Sequence, residues 1–210
     1  MNGANKGILI AIEGIDGTGK STQAALLARY LRGRGCEVVE TREPTGGPYG
    51  RRIRELFVNR GSCTLEEELA LFIEDRRQHV REVIAPALAR GLVVLTDRYY
   101  FSTAAYQGAA GMDPAAVFAR NRFAPRPDLV ILLTMQPESS LVRIRESRGE
   151  ELNDFEQEDQ LRRVDELFAS FADPCITRIA ADDSLENVAR KIQRAVDLLF
   201  LDKDYPCPRP

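Results

Sequence analysis

The stretch IEGIDGTGKST, residues 12–22, has three glycines in six residues, followed by one lysine and two hydroxyl side chains. The apolar run GILIAI leads into it, and the helical pattern QAALLARYL follows it. Gly14, Gly19, Lys20 and Ser21 match the spacing G-x-x-x-x-G-K-[ST], in which the backbone N–H groups of a glycine-rich loop surround phosphate oxygens. The stretch therefore predicts a phosphate-binding loop between a buried strand and a helix.

Two polar residues of this loop, and one at the end of a later strand, have an expected task. We expect Lys20 to reach the terminal phosphates of ATP and the Ser21 hydroxyl to ligate Mg²⁺. Asp97 ends a later apolar strand, LVVLTD, where a carboxylate can hold the same ion directly or through water. The alternative is a glycine-rich turn with a surface lysine, and an Asp97 that caps a helix. The residues expected to bind ATP or its phosphates are Gly14, Ile15, Asp16, Gly17, Thr18, Gly19, Lys20, Ser21 and Thr22.

Strand and helix patterns alternate along the chain. The apolar runs GILIAIE, CEVVET, LVVLTD, DLVILLTM and CITRIA predict five strands. Their alternation with helices predicts an α/β fold of the P-loop type, a parallel sheet covered by helices on both faces. We expect one domain over residues 1–210, with a capping box from Thr64 to Glu67 and a disordered tail over residues 202–210.

Composition excludes several classes of partner. The net charge of −3 and the pI near 5.4 do not favour nucleic-acid binding. No apolar run approaches the roughly 18 residues that span a membrane, and we expect no signal peptide. The four cysteines have unrelated spacings, so we expect four free thiols in a reducing cytoplasm. Because most basic residues are arginines, only the position of an arginine is informative.

Several further segments resemble one family. EGIDGTGKSTQ, TREPTGGPYGRRIR, LFIEDRRQHVREVIAPAL, DRYYFSTAAYQG, PDLVILL and FEQED have the order and spacing found in thymidylate kinases. The resemblance extends from Ile8 to about Leu199. It implies a nucleoside monophosphate kinase fold, Mg²⁺-dependent transfer of a phosphoryl group from ATP to dTMP, and a cytoplasmic homodimer with no nucleic-acid or membrane partner.

The resemblance also implies a binding site for dTMP. Phe72 would stack on the thymine, and Arg76, four residues later on the same helix face, would donate to its O4 atom. The residues alone leave open a core Phe72 and a solvated Arg76. Tyr106 would pack against the sugar and exclude a 2′-hydroxyl group, and Ser102 and Gln107 would lie near the base.

The phosphoryl groups require cations at the strand ends. Arg42 and Arg98 follow the second and third strands, and the resemblance assigns both to the acceptor phosphate or the transferring phosphoryl group. Asp16 would lie near the sugar hydroxyl of the acceptor. We expect Glu43 to orient Arg42 or a Mg²⁺-bound water. His79 is the only histidine, and we interpret it as a structural or surface residue without partners.

The expected lid, residues 143–157, departs from the family pattern. One group of these enzymes has a basic residue in the phosphate loop where this chain has Gly17, so the lid should supply that charge. Asp154 stands where such lids often have an arginine. We therefore choose Arg148 as the catalytic lid cation. The three lid arginines considered for this role are Arg143, Arg145 and Arg148.

Four smaller departures are Thr134, Gln136, Ile73 and Glu74, whose effect on the acceptor site the sequence does not reveal. Two alternative functions stay open. One is a related deoxynucleotide kinase with another base preference. The other is a catalytically silent nucleotide-binding protein, which only Asp154 favours.

Overall fold

A single parallel sheet organises the protein. The computed structural model describes residues 7–58, 63–148 and 158–207. Within these ranges the five strands have the order β2-β3-β1-β4-β5, and every pairing is parallel. The predicted five-stranded α/β fold is confirmed. The strands are β1 Ile8–Glu13, β2 Val38–Arg42, β3 Val93–Asp97, β4 Leu129–Thr134 and β5 Ile176–Ala180.

Helices connect successive strands and cover the sheet. The predicted capping box opens one of them, because the Thr64 side chain accepts from the Glu67 N–H and the Glu67 carboxylate accepts from the Thr64 N–H. In the described ranges, no helix is both long and apolar enough to cross a membrane. The helices are α1 Lys20–Gly33, α2 Pro48–Val58, α3 Leu65–His79, the π-helix Val80–Ile84, α4 Ala85–Ala89, α5 Tyr100–Ala109, α6 Pro114–Arg120, α7 Pro137–Arg148, α8 Glu158–Ser170 and α9 Leu185–Asp202.

The central strand β1 is buried on both faces, as its continuous apolar sequence requires. Ile8, Ile10 and Ile12 pack with residues of α1 and α9. Leu9 and Ala11 point to the opposite face and pack with residues of α3, α5 and α8. All five strands run in one direction, so their carboxyl ends meet at one edge of the sheet, where ligands of such folds bind.

The cysteines and the C-terminal segment differ from expectation. Cys36, just before β2, forms a disulfide with Cys207, so the expectation of four free thiols is wrong. The Tyr205 hydroxyl donates to the Gly91 carbonyl at 2.7 Å and holds the segment after α9 against the body of the protein. The two cysteines lie 171 residues apart, so no local sequence pattern could pair them. Residues 208–210 of the predicted tail lie outside the described residues.

Candidate active site

The phosphate-binding loop, residues 14–21, depends on glycine backbone conformations. Gly14, Gly17 and Gly19 have φ angles of 136°, 80° and 87°, in the range that other residues rarely adopt. The Thr18 hydroxyl closes the loop by donating to the Ile15 carbonyl at 2.9 Å. The loop ends where α1 begins, so the free N–H groups of the first helical turn face it. The backbone N–H groups of this loop can therefore bind an anion without a contribution from side chains.

Lys20 is buried at the base of the loop. Its side chain is 6% exposed, and Nζ donates to the Ile15 carbonyl at 2.7 Å. Burial, and to a lesser extent the charge of Arg98, lower its pKa to about 8, while Asp16 opposes that shift. A phosphate beside Nζ would favour the charged ammonium, so the site is better suited to a bound polyanion than to solvent.

Ser21 and Asp97 form a pair of oxygen ligands. The Ser21 hydroxyl donates to Oδ2 of Asp97, which ends β3 beside β1. The other carboxylate oxygen, Oδ1, is buried and has no hydrogen-bond partner among the described residues. A hydroxyl and a carboxylate with an unused oxygen fit Mg²⁺, which takes one or two protein ligands and completes its shell with phosphates and water. The donors expected from the sequence are thus adjacent.

Asp16, Arg98 and Tyr106 form a second cluster beside the loop. The Arg98 guanidinium pairs with Oδ1 of Asp16 and lies 5.1 Å from the centre of the Tyr106 ring. The Tyr106 hydroxyl donates to Oδ2 of Asp16 at 3.1 Å. Burial raises the pKa of this phenol, which therefore stays a neutral donor. The cluster joins Arg98, which the resemblance assigns to the phosphates, to two side chains that the resemblance assigns to the sugar.

Glu13, which the sequence reasoning missed, holds the turn that carries Arg98. Its Oε1 atom accepts from the Tyr99 N–H at 2.9 Å and from the Ser102 N–H at 3.2 Å, and the Ser102 hydroxyl donates to Oε2. Arg98 adopts a φ of 68°, which is unusual for a residue with a side chain. The carboxylate therefore caps α5 from a neighbouring strand. Its signal in the sequence was a lone acid at the end of an otherwise apolar strand.

Arg76 is buried in a network of polar side chains, so the open alternative of a solvated Arg76 is wrong. It is 1% exposed. Its Nε and one terminal nitrogen donate to Oε2 of Glu43 at 2.9 and 2.5 Å. The other contacts are to Asn121 at 2.6 Å and Thr103 at 2.9 Å. Phe72, one helical turn earlier, is partly buried.

Glu43 and His79 have partners that the sequence did not predict. The structure pairs Glu43 with Arg76 and His79, so the expectation that it orients Arg42 is wrong. Side chains alternate along extended backbone, which turns Glu43 away from Arg42. His79 is 2% exposed and lies 2.9 Å from Oε1 of Glu43 and 2.6 Å from the Thr41 hydroxyl. The interpretation of His79 as partnerless was therefore also wrong.

Basic side chains converge on one cleft of about 630 Å³ at the carboxyl ends of the strands. Arg54 on α2 is a second residue that the sequence reasoning missed, because nothing local distinguishes it from the other arginines. It donates to the Pro44 carbonyl at 3.1 Å. The cations that line the cleft are Lys20, Arg42, Arg54, Arg98 and Arg143.

Helix α7 explains why the loop has glycine at position 17. A Cβ atom on Gly17 would lie 2.6 Å from the backbone oxygen of Ser140 and 2.7 Å from its hydroxyl oxygen. That hydroxyl donates to the Asp16 carbonyl and fixes α7 against the loop. A basic residue at position 17 would require α7 to move. Arg148 ends α7, and its side chain, like Asp154, lies outside the described residues.

The smaller departures from the family pattern have ordinary structural surroundings. Ile73 is 5% exposed and packs in the core. Glu74 is exposed and lies 3.3 Å from Arg77. Thr134 ends β4, and its carbonyl accepts from the N–H of Ala181 at 2.8 Å. None of these contacts involves the cleft.

The fold, the phosphate loop and the convergent cations define a P-loop phosphotransferase. A family model described as thymidylate kinase matches residues 12–192. The chain is 52% identical to a thymidylate kinase of Desulfotalea psychrophila over 93% of its length and 97% of that protein. It is 48% identical to one from Akkermansia muciniphila, over 96% of this chain and 97% of the relative. The chain belongs to the thymidylate kinase family.

Glu13 makes stability depend on pH in a defined direction. Burial raises its pKa to about 7, against the hydrogen bond from Ser102 and the charge of Arg98, which lower it. The folded state thus holds a proton between about pH 4.5 and 7 that the unfolded state releases. The free energy of unfolding should fall across that window as pH rises, by at most about 3 kcal/mol from this group.

Urea unfolding of the parent and of Glu13→Gln at a series of pH values checks this prediction. Glutamine does not titrate. The unfolding free energy of the variant minus that of the parent should therefore increase as pH rises from 4.5 to 7. Parallel stability curves over this range would show that Glu13 does not titrate there.

Proposed function

We propose that the protein transfers the γ-phosphoryl group of ATP to dTMP and releases ADP and dTDP. The observation that carries the proposal is the meeting, at one sheet edge, of the phosphate loop, the Ser21–Asp97 oxygen pair and five cations. A polyanionic donor and an anionic acceptor both need such a site. Family membership supports dTMP as the acceptor.

The reaction needs charge neutralisation more than a general base. A phosphate monoester has a second pKa near 6, so the acceptor oxygen is already ionised at pH 7. The main barrier is repulsion between two polyanions, which Lys20, Arg42 and Arg98 offset while they hold the phosphates in line. Mg²⁺, held by Ser21 and Asp97, would neutralise charge on the donor phosphates. The attack on the γ-phosphorus therefore requires no proton transfer from the acceptor oxygen.

The acceptor base and sugar would bind where Arg76 and Tyr106 lie. Arg76 donates to a ring carbonyl, and Phe72 packs on the ring. Gln107 is 2% exposed, and its Oε1 has no hydrogen-bond partner among the described residues. It lies one helical turn beyond Thr103, which contacts Arg76, so its oxygen suits the imide N–H of the base. Asp16 and Tyr106 bind the sugar and exclude a 2′-hydroxyl group.

The remaining assignments are also proposals. The chain acts as one domain, and residues 143–157, of which 149–157 lie outside the described residues, would supply the lid. The family resemblance supports a homodimer. A cytoplasmic location follows from the reaction, which consumes ATP and supplies a nucleotide for dTTP synthesis. The Cys36–Cys207 disulfide removes the support that four free thiols would have given to that location.

A panel of acceptors tests the proposed function. ADP release at saturating Mg²⁺-ATP is measured with dTMP, dUMP, dCMP, dGMP and the ribonucleotide of thymine. We expect the highest kcat/KM with dTMP and a clear loss for the ribonucleotide. A different preferred base would favour the related deoxynucleotide kinase. If no acceptor on the panel leads to ADP release, the result would favour the silent nucleotide-binding protein.

Arg143 is the lid cation that we propose in place of Arg148, whose side chain lies outside the described residues. Its exposed side chain lines the cleft, and Ser140, one turn earlier on α7, contacts the phosphate loop. A cation that meets the phosphoryl group mainly in the transition state affects kcat more than KM. Arg143→Ala should therefore lower kcat by roughly tenfold to a thousandfold with little change in the KM for dTMP.

Arg145→Ala is the matched control, because Arg145 is exposed on the same helix but does not line the cleft. Arg148→Ala tests the choice made from the sequence. Steady-state kinetics on the three variants decide between them. If Arg143→Ala keeps the kcat of the parent and Arg148→Ala has a much lower kcat, Arg148 is the lid cation.

A further inference from the structure

We propose that His79 is a positioning residue for base recognition, which holds Arg76 in place through Glu43. This inference rests on the proposed function, because it concerns how the acceptor base is read. Among the described residues, the hydrogen-bond partners of His79 are Glu43 and Thr41, and neither is a cleft cation. Its effect would be transmitted through Glu43, whose carboxylate it shares with Arg76.

Three ionisable side chains are buried together around Glu43. The side chains of Arg76, Glu43 and His79 are 1%, 4% and 1% exposed. A buried carboxylate that loses a partner keeps its desolvation penalty, so each contact in this network constrains the others. Oε2 of Glu43 accepts two bonds from Arg76, and Oε1 faces the Nδ1 atom of His79. The histidine thus fixes the rotation of the carboxylate that orients the arginine.

Arg76 has one N–H donor more than its partners in this network use. A guanidinium has five N–H groups. Three of them are used by Glu43 and Thr103, and a fourth by Asn121. One N–H on the nitrogen that binds Asn121 has no partner among the described residues. The partners lie on three separate elements, so the remaining donor has a fixed direction and can select a carbonyl against an amino group.

The imidazole of His79 has a second contact, on the ring nitrogen that faces away from Glu43. The Thr41 hydroxyl lies 2.6 Å from Nε2, so in a neutral ring Nδ1 donates to Glu43 and Nε2 accepts from Thr41. Thr41 and Glu43 flank Arg42, which lines the phosphate cleft. His79 therefore joins helix α3, which carries the base-reading Arg76, to the strand end that carries a phosphate-binding cation.

Two substitutions distinguish the contact made by Nδ1 of His79 from the contact made by Nε2. The amide of asparagine lies near the position of Nδ1, so His79→Asn keeps a donor for Glu43 and loses the contact with Thr41. The amide of glutamine extends to the position of Nε2, so His79→Gln keeps a partner for Thr41 and loses the donor for Glu43. The probes are dTMP and 5-methyl-dCMP, whose bases differ only in the carbonyl or amino group at C4 and the hydrogen on N3.

The measured quantity is the ratio of kcat/KM for dTMP to that for 5-methyl-dCMP. We expect His79→Gln to lower this ratio by roughly tenfold to a hundredfold, through KM, as for the loss of one well-placed hydrogen bond to a charged group. His79→Asn loses only the contact with Thr41 and should lower the ratio about threefold. The KM for ATP should stay unchanged in both variants.

Asp75→Asn is the control for a purely structural role. Asp75 is buried on the same helix and accepts from the N–H and hydroxyl of Thr45 at 2.8 and 2.6 Å. We expect this variant to lose stability and to keep the ratio. If both His79 variants keep the ratio while stability falls, as in Asp75→Asn, His79 is only structural and the proposal is overturned.

Thr41→Val keeps the inference testable if His79→Gln does not fold. It removes the hydroxyl beside Nε2 with little change of shape, and it should lower the ratio about threefold. The proposal is overturned if a folded Thr41→Val variant keeps the ratio and no folded His79→Gln variant lowers the ratio. A parent protein that prefers 5-methyl-dCMP would instead contradict the proposed function, so the two failures are distinguishable.

Discussion

The structure of the site depends on the left-handed backbone of the phosphate loop. Glycine at positions 14 and 17 lets the chain turn and also lets its neighbours approach. A Cβ on Gly14 would collide with the Leu133 carbonyl of β4, and one on Gly17 would collide with Ser140 of α7. The loop is therefore packed between β4 and α7. This packing fixes the point at which α1 begins and hence the position of Lys20.

The second constraint is electrostatic. Cations collected for a polyanion would repel one another when the polyanion is absent, and the protein offsets this repulsion with carboxylates. Asp16 pairs with Arg98 and lies 4.0 Å from Lys20. Burial lowers the pKa of Lys20 despite these neighbours. Phosphates that enter the cleft would take over part of the neutralising role, which favours binding of highly charged ligands.

Features set by local sequence could be predicted. The strands and the Thr64 capping box each depend on residues a few positions apart, and each was confirmed. The glycines of residues 14–21 adopt the backbone conformations that the predicted phosphate loop requires. The adjacency of Ser21 and Asp97 also followed, because parallel strands place their carboxyl ends at one edge. These predictions needed only chain direction and periodicity.

Pairings between distant side chains could not be predicted from the residues alone. Glu43 meets Arg76 and His79 from 33 and 36 residues away, and the disulfide partners of the chain are farther apart still. Such contacts depend on which helix lies over which strand. Arg54 was hidden for another reason, since a chain rich in arginine gives a single arginine no distinctive signal.

Lys20→Ala provides the most direct test of the central claim that residues 14–21 bind the phosphates of ATP. The account predicts a loss of at least about 3 kcal/mol of transition-state stabilisation, or roughly a hundredfold or more in kcat/KM for ATP. Urea unfolding should show a folded protein, because the side chain points into a cleft. Near-normal turnover of a folded Lys20→Ala variant would contradict the assignment of this loop.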